Sequence, residues 1–425
     1  MPRIGGRQPC AWYARVLARA WPELCMMAAE EFPMPLTGVR VVDLTRILAG
    51  PFCSMLLADM GAEVIKIEPP GEGDPVRQQG VIVEGFSWYF AQFNRNKKSI
   101  TLDLYTPEGK DILARLVERA DVLIENYRPG VLERMGFGEA RLRELNPDLV
   151  VCGINGYGSV GPYADRPAFD FIAQAMSGFM SVNGRDGEAP MRAAMPISDL
   201  VAGLYGAFGV ACALVARRGA QARGQRVESS LMNGLISMLA YLSAHYLATG
   251  ALPARTGNDH PIAAPYGLYD AADGQVAIAP STDDVVRRLF RALGIEGELA
   301  RPEFATYESR LAHREAVNAL IGSRIRTCTV DHWIEHLNGA GVPCGRVADL
   351  RDVFSDPQVL AQDMMLEVEH PGHGPVRMTG FPVKLSATPC RVRLPAPELG
   401  AHTEEVLREL GLGSDIPRLR RERVI

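Results

Sequence analysis

Two acids in this chain stand where a carboxylate can be made reactive. Asp199 occupies Met195-Pro196-Ile197-Ser198-Asp199-Leu200, where a loop gives way to a long apolar run. Aspartate is favoured as a helix N-cap, and the helix dipole with its free N–H groups holds such a carboxylate ionised, the state a carboxylate nucleophile needs. Capping and catalysis are compatible there. Asp170 lies between Phe169 and Phe171, ahead of Ala173-Gln174-Ala175-Met176. Apolar neighbours raise a carboxyl pKa by desolvation, so Asp170 is a second candidate for acid–base work, or another cap.

Residues 156–161 read Gly-Tyr-Gly-Ser-Val-Gly, a literal G-x-G-x-x-G after the strand-like run Leu149-Val150-Val151-Cys152. A dinucleotide fingerprint needs a helix after its last glycine, with free N–H groups facing the pyrophosphate. Pro162 and Pro167 follow instead and leave no room for one, so the segment is predicted to be a loop. A nicotinamide enzyme stays open as an alternative, with Glu68 at the end of a strand as its ribose-binding acid; the turn Ile47-Leu48-Ala49-Gly50 lacks the glycines it needs. His332 and His336 have the spacing of two ligands to one metal, yet no third ligand accompanies them and a solvated helix face is the simpler reading. No metal site is expected. His260, in Asn258-Asp259-His260-Pro261, is a candidate loop residue beside a ligand.

The bulk composition bounds the rest. With 425 residues, 47% hydrophobic and 22% charged, the chain is that of a soluble globular protein of two domains. A net charge of -5 supplies no general basic surface, so nucleic acid is not an expected partner. The longest apolar run, Leu200 to Ala216, is rich in Gly and Ala and reads as a buried helix, not a membrane span. The cysteines are scattered with no C-x-x-C pair, which suits reduced thiols in a cytoplasmic protein without disulfides or structural zinc. G-x-S-x-G, Walker and H-E-x-x-H motifs are missing. Arg3, Arg7, Arg15 and Arg19 precede the first acid, Glu23; residues 1–33 read as a transit-like extension or a start assigned too early, ahead of Met34, and are set apart from the fold.

The elements that must position these acids follow a rhythm. Val39 to Leu44 reads as a strand, Pro51 to Met60 as a helix ended by Gly61, and Ala62 to Glu68 as a second strand. A strand at Ser99 to Leu104, a helix from Pro107 to Ala120, a strand Val122 to Glu125, another helix and a strand Leu149 to Gly153 continue it. Such alternation implies an α/β fold with a parallel, helix-covered sheet. From Leu200 to Leu247 the chain reads as helical, broken at Gly219 to Gln225. Tyr266 to Tyr269 and Gln275 to Ala279 flank Asp273-Gly274 as a hairpin, with helices to Ala340. The expected domains are a large one from 34–215, linker helices with a smaller α+β domain at 216–340, and a return to the large domain over 341–425.

Val41-Val-Asp-Leu-Thr-Arg-Ile-Leu-Ala-Gly-Pro-Phe-Cys, Leu57-Ala-Asp-Met-Gly-Ala-Glu-Val-Ile-Lys-Ile-Glu-Pro-Pro-Gly, Asn96-Lys-Lys-Ser-Ile-Thr-Leu-Asp-Leu and Asp121-Val-Leu-Ile-Glu-Asn-Tyr-Arg-Pro-Gly resemble family III CoA-transferases. Gly224-Gln-Arg-Val-Glu-Ser-Ser-Leu and Gly341-Val-Pro-Cys-Gly-Arg-Val extend the resemblance over nearly all of Met34 to Ile425, and the superfamily includes 2-methylacyl-CoA racemases. The resemblance implies a Rossmann-like large domain, a small middle domain and an interlaced homodimer. It implies acyl-CoA and a carboxylic acid as substrates, with no tightly bound cofactor and no membrane partner. Asp199 matches the family's catalytic aspartate, which forms an aspartyl mixed anhydride and then an aspartyl-CoA thioester. CoA contacts carried over by position fall on Arg46, Ile47, Ala49, Leu104, Asn126 and Arg134.

Departures from the family pattern shape the expected specificity. Leu48, a position near Gln79, and Asp259-His260-Pro261-Ile262-Ala263 stand where formyl- and oxalyl-specific members have a glutamine, a tryptophan and a tetraglycine loop, so a larger or less polar acid is expected. The glycine loop 156–161 is expected to line the thioester pocket. Racemases of the superfamily place a histidine before the acid at the position of Asp170. Phe169 stands there and cannot move a proton, which favours transferase over racemase chemistry.

Overall fold

The computed structural model describes residues 33–219 and 223–425. The expected extension at 1–33 therefore lies, but for Pro33, outside the described residues, as does the middle of the break at 219–225. The chain divides into two compact units: residues up to Ala173, Pro196–Leu235 and Leu360–Ile425 form the first, and Gln174–Met195 with Ile236–Val359 the second.

The first unit is built on six strands: β1 (Arg40–Asp43), β2 (Glu63–Glu68), β3 (Lys97–Thr101), β4 (Val122–Glu125), β5 (Val150–Asn155) and β6 (Arg226–Ser230). They align in the order β3-β2-β1-β4-β5-β6 and every pair is parallel. Strand alternation sorts the side chains onto two faces. Val41, Val64 and Val122 meet Cys53 and Leu57 of helix α1 (Ala49–Asp59) on one face. Val42, Ile65 and Leu123 meet Ile112 and Leu113 on the other, with Val406, Leu407 and Leu419 from the end of the chain. Each such buried aliphatic side chain contributes about 1.5–3 kcal/mol. Helix α2 (Trp88–Asn94), capped by the Ser87 hydroxyl accepting from Phe90 N at 3.1 Å, leads into β3, and α3 (Pro107–Val117) leads into β4. Helix α4 (Asp170–Met176) and the long α5 (Ile197–Ala216) follow β5.

β6 falls inside the stretch read as helical, and β3 starts two residues before the expected Ser99. The second unit contains the expected hairpin, β7 (Gly267–Asp270) antiparallel to β8 (Gln275–Ile278). Its third strand, β9 (Cys344–Arg346), pairs with the other edge of β8, which keeps residues 341–359 in this unit; the expected return at 341 occurs at Leu360. Leu289, Phe290, Ile321, Trp333 and Leu337 from the surrounding helices fill its core.

α5 has the length and apolar composition of a membrane span. Ala202, Gly203, Gly206, Val210 and Ala213 on one side are buried, while Leu204, Tyr205, Phe208 and Val215 on the other are exposed, so the helix is half buried and not buried all round as its composition suggested. Its small residues let α1 approach. A Cβ added at Gly203 would stand 2.5 Å from the Ala49 carbonyl oxygen and 3.0 Å from the Phe52 ring. Gly203→Ala should therefore lower stability by about 1–3 kcal/mol in urea unfolding, against the ~1 kcal/mol gain alanine brings to an open helix position. A stabilised variant would mean that α1 and α5 are not this closely packed.

Candidate active site

Asp199 is the third residue of α5, three residues beyond the N-cap Pro196, so it is not the cap it was expected to be. Proline has no side-chain acceptor, so the first turn takes its cap from elsewhere in the chain: Ser198 N–H donates to Asp170. The carboxyl of Asp199 is half-buried, and its pKa is pushed from 3.8 up to about 7 by burial first and the charge of Asp170 second. The helix start was expected to hold it ionised; desolvation and a like charge oppose the dipole and move that ionisation up toward neutral pH.

Asp170 opens α4 and is 9% exposed. Its Oδ1 accepts from the backbone N and the hydroxyl of Ser198, each at 2.8 Å, and Ser198 is wholly buried. The residue that immediately precedes Asp199 thus fixes the second carboxylate beside it. Tyr89 on α2 lies within the electrostatic reach of Asp199. Burial pushes its phenol up to about 12, followed by the charges of Asp199 and then Asp74, so it remains a hydrogen-bond donor at neutral pH. Gly80 and the edge of Phe93, 5.7 Å from its ring, set the orientation of Tyr89. Sequence reading missed both Ser198 and Tyr89. The Ser-Asp pair was visible in the quoted motif, whereas nothing in Ser87-Trp88-Tyr89-Phe90 announces a polar role.

A second constellation lies where the sheet changes direction. β2 and β3 extend to one side of β1 and β4 begins the other, so the crevice beyond the carboxyl ends of β1 and β4 is a topological switch point, where open α/β sheets bind ligands. Arg46, after β1, donates its N–H to Asn126 Oδ1 at 3.0 Å, and Asn126 Nδ2, after β4, donates to the Arg46 carbonyl at 2.8 Å. The Arg46 side chain is exposed, Ile47 is half-buried, and Leu48 and Ala49 are buried at 2% and 4%. Of the residues expected near CoA, Arg46, Ile47, Ala49 and Asn126 gather here. Leu104 follows β3 and packs against the core, and Arg134 is exposed on the short helix Val131–Arg134 after β4.

Leu48, expected in the acid pocket, is buried at 2% exposure just before α1. Phe169 is 70% exposed beside Asp170. His260 lies in the second unit between Tyr266 and Tyr241, with ring centroids 4.7 Å and 5.5 Å away. His332 and His336 stack on one another, and His336 donates to the Ala292 carbonyl at 2.9 Å; among the described residues no group of acids, thiols and imidazoles is arranged to hold a metal. All six described cysteines are free.

The glycine motif is a loop, as expected. Ser159 N–H donates to the Glu228 carboxylate at 3.0 Å and Gly158 N–H to Asn155 Oδ1 at 2.6 Å, so internal acceptors occupy the donors that a pyrophosphate would need. Gly156 is required by close approach, since a Cβ there would stand 2.3 Å from that of Ala168. Glu68, the ribose-binding candidate of the nicotinamide alternative, is buried and bonded to Arg77 at 2.7 Å and to the Ser99 hydroxyl at 2.6 Å. That acid holds the fold together instead.

The model of CoA-transferase family III matches residues 36–403. The succinyl-CoA–D-citramalate CoA-transferase of Chloroflexus aurantiacus is 39% identical over 94% of this chain and 100% of its own length. The succinate–glutarate CoA-transferase of Agrobacterium fabrum is 38% identical over 88% and 96%. Among solved structures, a CAIB/BAIF family protein from Brucella suis superposes with a TM-score of 0.79 at 37% identity, covering 89% of this chain and 100% of the other. The chain belongs to CoA-transferase family III.

The raised pKa of Asp199 carries a stability signature. Between 3.8 and about 7 the folded state binds more protons at this carboxyl than the unfolded chain, so its contribution to stability falls as pH rises through that window and levels off above it. Asp199→Asn should therefore melt higher than the parent at about pH 8, with the difference vanishing near pH 4. An equal difference at both pH values would show that the carboxyl is not perturbed.

Proposed function

We propose that this protein moves CoA from an acyl-CoA donor to a carboxylic acid acceptor through covalent intermediates on Asp199. The observation that carries the reading is the pairing of carboxyls: Asp199 is desolvated at the start of α5, and the buried Ser198 anchors Asp170 beside it. A carboxylate with a raised pKa is a stronger nucleophile than an ordinary one, and near neutral pH a large fraction of it is ionised.

The chemistry balances without water or redox change. An Asp199 oxygen attacks the thioester carbon of the donor, the C–S bond of the tetrahedral adduct breaks, and CoA departs as thiolate, leaving an acyl-aspartyl mixed anhydride. The thiolate attacks the Asp199 carbonyl, releasing the donor acid as carboxylate and leaving an aspartyl-CoA thioester. The acceptor carboxylate displaces CoA to form a second anhydride, and the thiolate then attacks the acceptor's carbonyl, returning Asp199 to its carboxylate. Each tetrahedral intermediate places negative charge on an oxygen, and the protonated Tyr89 phenol is the group assigned to donate to it.

CoA is assigned to the crevice at Arg46, Ile47, Ala49 and Asn126, with Leu104 and Arg134 on its flanks and the two arginines toward phosphate. CoA enters as substrate; the scheme has no resident cofactor. The relatives' names pair succinyl-CoA or succinate with citramalate and glutarate, and one relative from Acetobacter aceti, 37% identical, is an acetyl-CoA:oxalate CoA-transferase. Succinyl-CoA as donor and a dicarboxylic acid as acceptor is the pairing we assign, with oxalate kept in the acceptor panel. The exposed Phe169 offers no base for α-proton exchange, so racemisation is not favoured. We assign a second copy of the chain to the exposed apolar side of α5 at Leu204, Tyr205 and Phe208, giving a homodimer.

Incubation with succinyl-CoA, trapping by hydroxylamine or borohydride and peptide mass spectrometry test the covalent route. Modification of the Asp199 peptide is expected, absent in Asp199→Ala, with turnover in that variant reduced roughly a thousandfold or more. The pH profile of kcat/KM should rise through about 7 and move to lower pH in Asp170→Asn, which keeps an acceptor for Ser198 but removes the like charge. An unmodified Asp199 peptide together with solvent deuterium entering the α-carbon of a 2-methylacyl-CoA would instead establish a racemase.

A further inference from the structure

The turn Thr45-Arg46-Ile47 has a backbone its sequence would not choose. Ile47 sits at φ 70°, in the left-handed region, where a β-branched residue is a genuine outlier and the strain persists when its surroundings over-determine it. The surroundings here are polar and specific. Thr45 N–H donates to Asp43 Oδ1 at 2.9 Å, and the Thr45 carbonyl accepts from Lys66 Nζ at 2.7 Å. Both backbone groups of Arg46 are taken by Asn126, and Ile47 N–H donates to Asp74 Oδ1 at 3.1 Å. Side chains therefore hold five consecutive polar backbone groups of the turn.

Two of those side chains form an ion pair. Lys66 Nζ meets Asp74 Oδ2 at 2.9 Å, with Lys66 wholly buried and Asp74 2% exposed. Burial alone would lower the Lys66 pKa, but Asp74, Asp43 and Glu68 outweigh it and lift the pKa above the ordinary value. Such a pair is a poor way to gain stability, since apolar residues of similar volume commonly serve as well or better. What apolar residues could not do is accept from Ile47 N–H and donate to the Thr45 carbonyl.

We propose that the buried Lys66–Asp74 pair is a positioning device, holding the strained Thr45–Ile47 turn in the shape that receives the CoA portion of acyl-CoA. Neither residue touches the substrate; both act through the turn. The inference rests on the assignment of CoA to this crevice.

Calorimetry with free CoA, steady-state kinetics with acyl-CoA and circular dichroism of full-length variants test it. Asp74→Ala is expected to weaken CoA binding roughly tenfold and to raise KM for acyl-CoA by a similar factor, with kcat changed by less than about threefold. Adding Ile47→Gly to Asp74→Ala should recover at least about threefold in affinity, because glycine adopts this φ without strain and no longer needs the pin. A merely structural role would show no such rescue. Should Asp74→Ala fail to fold, the double variant Lys66→Met/Asp74→Leu, an apolar pair of similar volume, should fold and still bind CoA roughly tenfold more weakly. A folded Asp74→Ala or Lys66→Met/Asp74→Leu with parental CoA affinity would overturn the proposal, as would failure of Ile47→Gly to improve Asp74→Ala. Arg46→Ala and Asn126→Ala separate the two levels: if they bind CoA normally, the assignment of the crevice is wrong, and if they weaken binding while the pair's variants do not, the positioning role alone is wrong.

Discussion

The fold depends on a set of charges placed where water cannot reach them. Asp43 at the end of β1, Lys66 within β2, Asp74 in the loop after β2 and Lys97 at the start of β3 are each buried at 2% exposure or less. Ions in that setting are tolerated only when they are paired and hydrogen-bonded, and each of these four is both. Asp43 accepts from Thr45 N, from the Ser54 hydroxyl at 2.6 Å and from Lys97 at 3.3 Å, while Lys97 also donates to the Pro51 carbonyl at 3.0 Å and to Asn94 Oδ1 at 2.9 Å. Strand β1, the first turns of α1, the end of α2 and strand β3 are thereby tied through four side chains. The same ties leave the Thr45–Ile47 turn one available shape.

Reactivity is placed on this scaffold with few further parts. α1, held from below by Lys97 and Ser54, presents a carbonyl and the Phe52 ring against Gly203 of α5, one helical turn beyond Asp199. The helix that carries the acid is thus seated on the helix that begins at the crevice beyond β1 and β4. Two opposed effects then set the character of Asp199: the helix start favours its charge, burial and Asp170 oppose it, and the opposing terms win. On the proposed route, a carboxylate that is costly to keep charged would give up that cost on becoming an anhydride or a thioester, which favours those neutral states relative to the ionised side chain.

Much of the architecture was legible because hydrophobic pattern and turn chemistry agreed. The strand–helix–strand start at Arg40–Glu68 and the hairpin around Asp273-Gly274 fall where periodicity placed them. β6 was not legible: Arg226-Val-Glu-Ser-Ser carries one aliphatic residue, and it forms a strand because β5 offers a free edge, which no local pattern records. β3 begins with Lys97 and Lys98, outside the strand expected from Ser99, because Lys97 is wholly buried among partners up to 54 residues away. The site was half legible. Asp199 and Asp170 stood out by type and neighbours, and Arg46 and Asn126 by resemblance, but the roles of Ser198, Tyr89, Lys66 and Asp74 exist only once distant segments meet. Glu68 misled for the same reason, since a strand-ending acid looks alike whether it faces a ribose or Arg77.

The central claim, that Asp199 itself takes part in the exchange, is tested most directly by oxygen tracing. Turnover with an acceptor acid whose carboxylate carries the heavy oxygen isotope, followed by mass analysis of the Asp199 peptide, reads whether the acceptor's oxygen passes through that side chain. The covalent route predicts label in the Asp199 carboxyl, because its leaving oxygen in the last step is the one the acceptor brought. A peptide that stays unlabelled after many turnovers, with acceptor thioester forming normally, would contradict it.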